Sequence, residues 1–291
     1  MVTALSGTLE QMWLFYALLA GALYSGEMLV TRHFLRAQKD TWAFSFFYSL
    51  VGAIICLPFM LASPQLPATL VPWLLACLIG LAIVGHNLLV FRASGRLEAS
   101  FVGAISKLRL AWVFLLGVVV LHNTFSWPKL LGTILAIAAG TVIVVSIKRP
   151  RSAQAVLLIL AATFLNAGIV ILSKYLLGSF NALSLTFFAI FLPATVFNFM
   201  LMPNALARIK KLSLADWPRV LLACSLGAFA NLVLFLALTL RDASSVLVIS
   251  EVFLIIVLVG EHIILKEQEY LWVKLVSITL AVAGAVLIQI S

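Results

Sequence analysis

Apolar residues fill ten long stretches of the chain, at about 12–31, 41–62, 70–91, 97–121, 127–147, 153–176, 182–202, 217–239, 243–265 and 270–290. Each is close to the roughly 20 residues that a membrane-spanning helix needs. Charge, Pro, Asn or Asp punctuates the joints. No period-two alternation runs through the stretches, so barrel strands are excluded and each is predicted to be a helix. The joints are short, such as Ser63-Pro64-Gln65-Leu66-Pro67 and Lys148-Arg149-Pro150-Arg151, and none has room for an independent active site.

The pattern also repeats. Trp73 matches Trp217, Asn87 matches Asn231, Phe91 matches Phe235, Ser106 matches Ser250 and Gly140 matches Gly284, all at one offset (231 − 87 = 144). Gly26 with Gly168, Arg32 with Lys174 and Phe46 with Phe188 align at a slightly shorter offset (168 − 26 = 142). Paired Trp, Asn, Phe and Gly in one register are far less expected by chance than paired Leu or Val. The chain is therefore expected to be two five-helix repeats, residues 1–149 and 150–291. Five is odd, so the second copy enters the membrane from the opposite side. The predicted fold is all-α: ten transmembrane helices as an inverted five-plus-five repeat.

Composition sharpens this picture. Hydrophobic residues make up 64% and charged residues 10% of the chain, against about 45–50% and about 25% in soluble domains. The net charge of +9 would point to nucleic acid in a soluble chain, but these cations sit mostly between spans and read as orientation signals, with no nucleic-acid partner implied. Loops after the first, third, fifth and seventh spans hold Arg32, Arg36, Arg92, Arg96, Lys148 and Arg208, whereas the alternate loops hold little beyond Lys129, Lys174 and Arg241. Both termini are thus expected outside a plasma (inner) membrane, with the first span retained as a helix. Cys56, Cys77 and Cys224 all fall in apolar stretches and imply neither a disulfide framework nor a metal site.

Charge inside a span is costly and marks function or pairing. Lys107 and Arg109 lie near the middle of the fourth span, and Glu251 takes the repeat-equivalent position of Lys107 in the ninth. Lys107 and Glu251 are therefore expected to approach one another across a central cavity. At about 100° per residue Arg109 is rotated about 200° from Lys107, so the two cations do not hold one group side by side. A structural ion pair and a zwitterion site remain alternatives for these residues. Glu27 lies a turn inside the end of the first span, either paired with Arg32, His33 or Arg92 or desolvated and exchanging protons. Asn87, Asn231 and Asn166 are expected to bond between helices, with a ligand role as the lesser reading. His86, beside Asn87, is a candidate proton relay. The aromatic runs Trp42 to Tyr48 and Phe187 to Phe191 are expected to face mostly lipid.

The segment Ala243-Ser244-Ser245-Val246 to Ser250-Glu251-Val252, followed by Gly260-Glu261, resembles the ninth helix of EamA-type members of the drug/metabolite transporter superfamily. Glu98-Ala99-Ser100 to Ser106-Lys107, then Gly132 to Gly140, resembles the fourth and fifth helices of the same family. Val252 stands where a proline often follows the mid-helix glutamate, and Lys107 stands where the second half has Glu251. The first-helix Glu27 is similar to the proton and substrate carboxylate of the small multidrug resistance transporters.

The resemblance implies a secondary active transporter of a small metabolite, working by alternating access in efflux or exchange and open to proton coupling. The cations favour an amino acid or organic acid. No zinc-binding, nucleophile-elbow or phosphate-binding motif is present, so an enzyme and an ATP-driven pump are disfavoured, and no cofactor is implied. The alternative is a membrane scaffold or accessory subunit whose charged pair is only structural. Two halves in one chain make a working monomer plausible.

Overall fold

The structure, a computed structural model, describes residues 2–35, 40–97, 102, 105–122, 125–146, 153–210, 216–250, 253 and 271–289. Their principal helices are α1 (Val2–Leu35), α2 (Thr41–Ala62), α3 (Leu70–Ser94), α4 (Arg109–Val120), α5 (Trp127–Ser146), α6 (Ala153–Leu176), α7 (from Ala182 to Leu201), α8 (Trp217–Leu240), α9 (Ala243–Ser250) and α10 (Leu271–Gln289). A short helix, Ala205–Lys210, links α7 to α8, and no strand occurs among the described residues. Six helices are long and apolar enough to cross a membrane: α1 from Met12, α2, α3, α6, α7 and α8. Arg109–Val120, Trp127–Ala139 and Leu275–Gly284 are shorter apolar pieces. Ile54, Leu74, Leu157 and Met200 are among many large apolar side chains on the outer surface. Such a surface is tolerated against lipid tails and not against water. The protein is a multi-pass membrane protein.

Local chemistry sets the helix ends. Asp40 precedes α2, and its Oδ1 accepts from the backbone N–H of Trp42 at 2.9 Å and of Ala43 at 3.3 Å, satisfying donors that a helix start leaves open. Arg208, from the short linking helix, grips both oxygens of the same carboxylate at 3.1 Å. Asn181 caps α7 by accepting from Ser184 N at 2.8 Å, and its Nδ2 donates to Ser63 O at 2.6 Å, tying the start of α7 to the end of α2. Replacing Asp40 by alanine removes both the cap and the ion pair. The expected result is about 1 kcal/mol of lost stability, read as a lower thermal midpoint in detergent, with Arg208→Ala costing less because a half-buried ion pair that water still reaches contributes little.

Two helices depart from the sequence expectation. The stretch 182–202 reads as a plain helix, but Thr186–Phe191 is wound as a π turn just before Pro193; proline has no N–H to give to the preceding turn, and a local widening accommodates it. Within the predicted span 97–121, Val102, Ile105 and Ser106 are helical, Lys107 and Leu108 form a turn, and an α-helix then runs over Arg109–Val120. Ahead of it the chain tightens: Leu108 N donates to Ile105 O (3.0 Å), Leu110 N to Lys107 O (2.9 Å) and Ala111 N to Leu108 O (3.2 Å). These three-residue steps wind at about 120° per residue. Lys107 and Leu108 thus sit at a break in the fourth stretch.

Packing follows the duplication. The paired helices α1 with α8 and α3 with α6 exchange when the first five are swapped for the second five. The same exchange carries α2 with α8 into α7 with α3, and α1 with α9 into α6 with α4, while α5 packs on α10. One apolar core joins α1, α2, α3, α6, α7, α8 and α9. It absorbs the aromatic run of α2, which the sequence assigned mostly to lipid. Phe44, Phe47 and Tyr48 are buried, with Phe44 stacked 5.1 Å from Phe34 and edge-on 4.8 Å from Phe91. The reason is that α2 packs on α7 and α8 at once, so its outward face lies mainly further along, at Ile54, Phe59 and Leu61.

Candidate functional site

The helix crossings leave a central cavity in two adjoining chambers, of about 200 Å³ and about 100 Å³. Tyr24, Tyr48, His86, Asn87, Arg109 and Asn166 line both, so the two are one space divided by side chains. Glu27 and Thr31 belong to the larger chamber and Asn231 to the smaller. Joined, they approach the lower end of small-ligand sites, about 300 Å³.

Close crossings shape the walls. A Cβ on Gly21 would lie 2.1 Å from the carbonyl oxygen of Ser250, so α1 meets α9 backbone to backbone there, and Ser25 Oγ donates to Phe253 O at 2.8 Å just beyond. A Cβ on Gly227 would lie 2.1 Å from Tyr48 Oη, so the absence of a side chain on α8 is what gives the tyrosine ring its room at the cavity wall. Small residues at such crossings are the usual way membrane helices approach closely.

Within the cavity, polar groups form a chain. Arg109 Nη1 donates to Asn166 Oδ1 at 3.1 Å, Asn166 Nδ2 lies 3.3 Å from His86 Nε2, and His86 Nδ1 lies 3.1 Å from the carbonyl oxygen of Ala162. The guanidinium only donates and the carbonyl only accepts. That fixes every member: His86 is neutral, with its hydrogen on Nδ1. Glu27 accepts from the Thr31 hydroxyl at 2.8 Å, one turn along α1. Asn87 is 7% exposed, and its Nδ2 has no hydrogen-bond partner among the described residues. Asn231 Nδ2 donates to Gly227 O at 2.8 Å on its own helix, so the expected bond between helices is not what holds it.

Of the sequence candidates, Glu27, His86, Asn87, Arg109 and Asn231 therefore meet at one cavity. Lys107 is fully buried and lines neither chamber. The tightened turn at 105–111 still turns it well away from Arg109. Glu251 lies outside the described residues, as does the remainder of its Gly-Glu motif. Tyr24, Thr31 and Tyr48 were not singled out by sequence as site residues. One signal for them existed: Tyr24 is the repeat equivalent of Asn166 (166 − 24 = 142).

The two ends of the cavity differ. Arg32 Nη1 donates to Ser94 O at 2.5 Å, which places the ends of α1 and α3 together, and the larger chamber extends that way to Thr31 and Ser94. At the opposite end Trp13, 3% exposed, lies beneath Arg241 at 5.6 Å, a cation–π contact. There Lys174 Nζ donates to Leu238 O, and to Arg241 O at 2.9 Å. Lys129 pairs with Asp242 at 3.6 Å. Burial pushes the Asp242 carboxyl up, but hydrogen bonds from Ser244 and Ser245 and the nearby Lys129 outweigh it and hold the group below its usual range. Its contribution to stability is present at neutral pH and lost only as pH falls through that lowered value.

The model of the EamA-like transporter family matches residues 11–145 and again 153–290, nearly the whole chain in two copies. The chain belongs to the EamA-like transporter family. Membership makes it a membrane transporter of small solutes and not an enzyme. No curated protein matches it in sequence. One solved crystal structure superimposes with a TM-score of 0.65 over 94% of this chain and 96% of its own, at 14% identity. That likeness shows a shared fold and leaves the substrate open. Among the described residues, the cavity of this EamA-like transporter holds the Glu27 carboxyl, the Arg109 guanidinium and the His86 imidazole among amides and phenols.

Proposed function

We propose that this EamA-like transporter is a secondary active carrier of a small metabolite bearing a carboxylate, of the amino acid or organic acid class. Ten spans in two inverted five-helix repeats, residues 1–149 and 150–291, would alternate access to the central cavity in the plasma (inner) membrane, within a monomer. The observation that carries the reading is the Arg109 guanidinium at a cavity that also presents the buried Asn87 Nδ2, which has no partner among the described residues. A planar cation beside an amide donor is a carboxylate cradle. Glu27 supplies the opposite charge, which suits the ammonium of a zwitterion or the exchange of a proton. The cavity extends toward Thr31 and Ser94, on the side of the basic loops, while Trp13, Lys174, Arg241 and Asp242 close the other end; this supports a cytoplasm-facing state. Lys107, buried outside the cavity, would serve the joint between halves with Glu251.

The test is flux in proteoliposomes against amino acids, organic acids and cationic dyes, with and without a pH gradient. Carboxylate-bearing solutes are expected to move. Glu27→Gln is expected to lose gradient-driven accumulation but keep exchange of solute for solute, because only the proton-carrying carboxyl is gone. Lys107→Gln is expected to lower abundance and leave flux per folded molecule intact. Transport of dyes alone would overturn the carboxylate class, and no flux of any solute would return the chain to a scaffold role.

A further inference from the structure

We propose that Asn166 is a positioning residue that links protonation of His86 to capture of a carboxylate by Arg109, so that a proton and the anion bind together. The inference rests on the carboxylate reading above and adds the coupling of that same site.

The argument is one of donors and acceptors. Arg109 can only donate, so the amide must turn Oδ1 toward it, as the 3.1 Å contact has it. Nδ2 then faces His86 Nε2 at 3.3 Å, which must accept. The remaining ring hydrogen sits on Nδ1 and goes to Ala162 O at 3.1 Å. Every position in the row is filled once, and the direction of all bonds is set from both ends. A second proton on the ring makes Nε2 a donor facing a donor. Rotating the Asn166 amide restores that bond, but presents Nδ2 to the guanidinium.

Protonation therefore removes the oxygen that Arg109 holds while adding a second positive charge to the cavity. Both changes favour an anion at Arg109. The other ionisable groups lining this space are Glu27 and Tyr24 from α1 and Tyr48 from α2; α3 brings His86 itself and the neutral Asn87, α4 brings Arg109, α6 brings only Asn166 and Thr163, and α8 brings the neutral Asn231. Among the described residues, then, the imidazole has one cationic neighbour, and Asn166 stands between them. Reciprocity makes the link work in both directions: a bound carboxylate engages Arg109, gives up the amide oxygen to the ring and holds the proton on His86. The pair is expected to travel in the same direction.

The experiment measures binding of radiolabelled acetate, lactate and glutamate to the detergent-solubilised full chain from about pH 5 to about pH 8, the range in which an imidazole changes charge. Wild-type affinity for at least one of them is expected to rise about tenfold on acidification. With Glu27→Gln in the background, so that this carboxyl does not contribute, His86→Gln is expected to bind with no pH dependence. Asn166→Leu is the discriminating variant: without the amide oxygen to compete, its affinity at the alkaline end rises toward the acid value, so the profile flattens from that side. Nitrogen NMR of the labelled imidazole is expected to report the Nδ1–H tautomer at alkaline pH in the wild type and a tautomer mixture in Asn166→Leu. Equal loss of affinity at both ends in Asn166→Leu, or an unchanged profile, would make Asn166 a simple ligand or a bystander and overturn the link. Wild-type binding that ignores pH also overturns it, while leaving the carboxylate reading intact. Binding of none of the three anions at any pH overturns the carboxylate reading itself.

Discussion

Replacing Arg109 by glutamine is expected to cut carboxylate flux by at least tenfold while the protein still inserts and purifies at normal yield. A charge-assisted bond contributes about 1.5–3 kcal/mol, and one factor of ten corresponds to about 1.4 kcal/mol, so losing the guanidinium removes at least that much from the bound state. Glutamine keeps one N–H for Asn166 Oδ1, which limits structural damage to the row through His86. Arg109→Lys should fall between: the charge stays, but an ammonium is a point donor and cannot offer a carboxylate two parallel N–H bonds in one plane. Initial rates over a range of substrate concentrations check this. The glutamine variant is expected to fail mainly through weaker apparent binding. Wild-type flux in Arg109→Gln would remove the cation from the transport cycle.

Gly21→Ala is expected to have the largest effect on stability of any single methyl added to the cavity wall. Its Cβ would sit 2.1 Å from Ser250 O, 2.9 Å from Ser250 C and 3.1 Å from Ser250 Cα, all backbone. No side-chain rotation relieves that overlap, so α1 must move off α9, at a cost of about 1–3 kcal/mol or more. Gly227→Ala makes a useful contrast, because its Cβ meets the ring of Tyr48, which can swing. That variant is expected to remain nearly as stable and to lose flux, with the phenol pushed into the cavity. Thermal unfolding and flux measured on both variants separate the two outcomes; equal midpoints for Gly21→Ala and wild type would show the α1–α9 crossing to be loose.

Much of this was readable from the chain because lipid imposes a simple rule. Apolar stretches of fixed length had to become helices, and a duplication in sequence reappears as helix pairs that exchange under the repeat. The charges were informative for the same reason: Glu27 and Arg109 are costly in a span and both line the cavity. Direction was harder. Lys107 was expected at the central cavity by a 3.6-residue period, but the tightened turn at 105–111 changes the angle at that point, and nothing in Ser106-Lys107-Leu108 announces it. Asn166 looked like any structural amide. Its role depends on what two other helices bring within 3.3 Å of it, which periodicity does not encode. The aromatic run of α2 misled because hydrophobicity does not distinguish a face turned to lipid from one turned to other helices.

The cation-to-carbonyl bonds at the helix ends have a mechanical meaning. Arg32 to Ser94 O lies within the first half of the chain, and Lys174 to Leu238 O, its counterpart in the repeat, lies within the second. The charge pairs Asp40 with Arg208 and Lys129 with Asp242 each join one half to the other. A carbonyl has no proton to lose and no net charge to screen, whereas a carboxylate pair near water weakens with salt and acid. These two ties within the halves thus hold through salt and acid, while the two carboxylate pairs between the halves answer to both. Salt and acid therefore loosen charged contacts between the halves before they touch these ties within them.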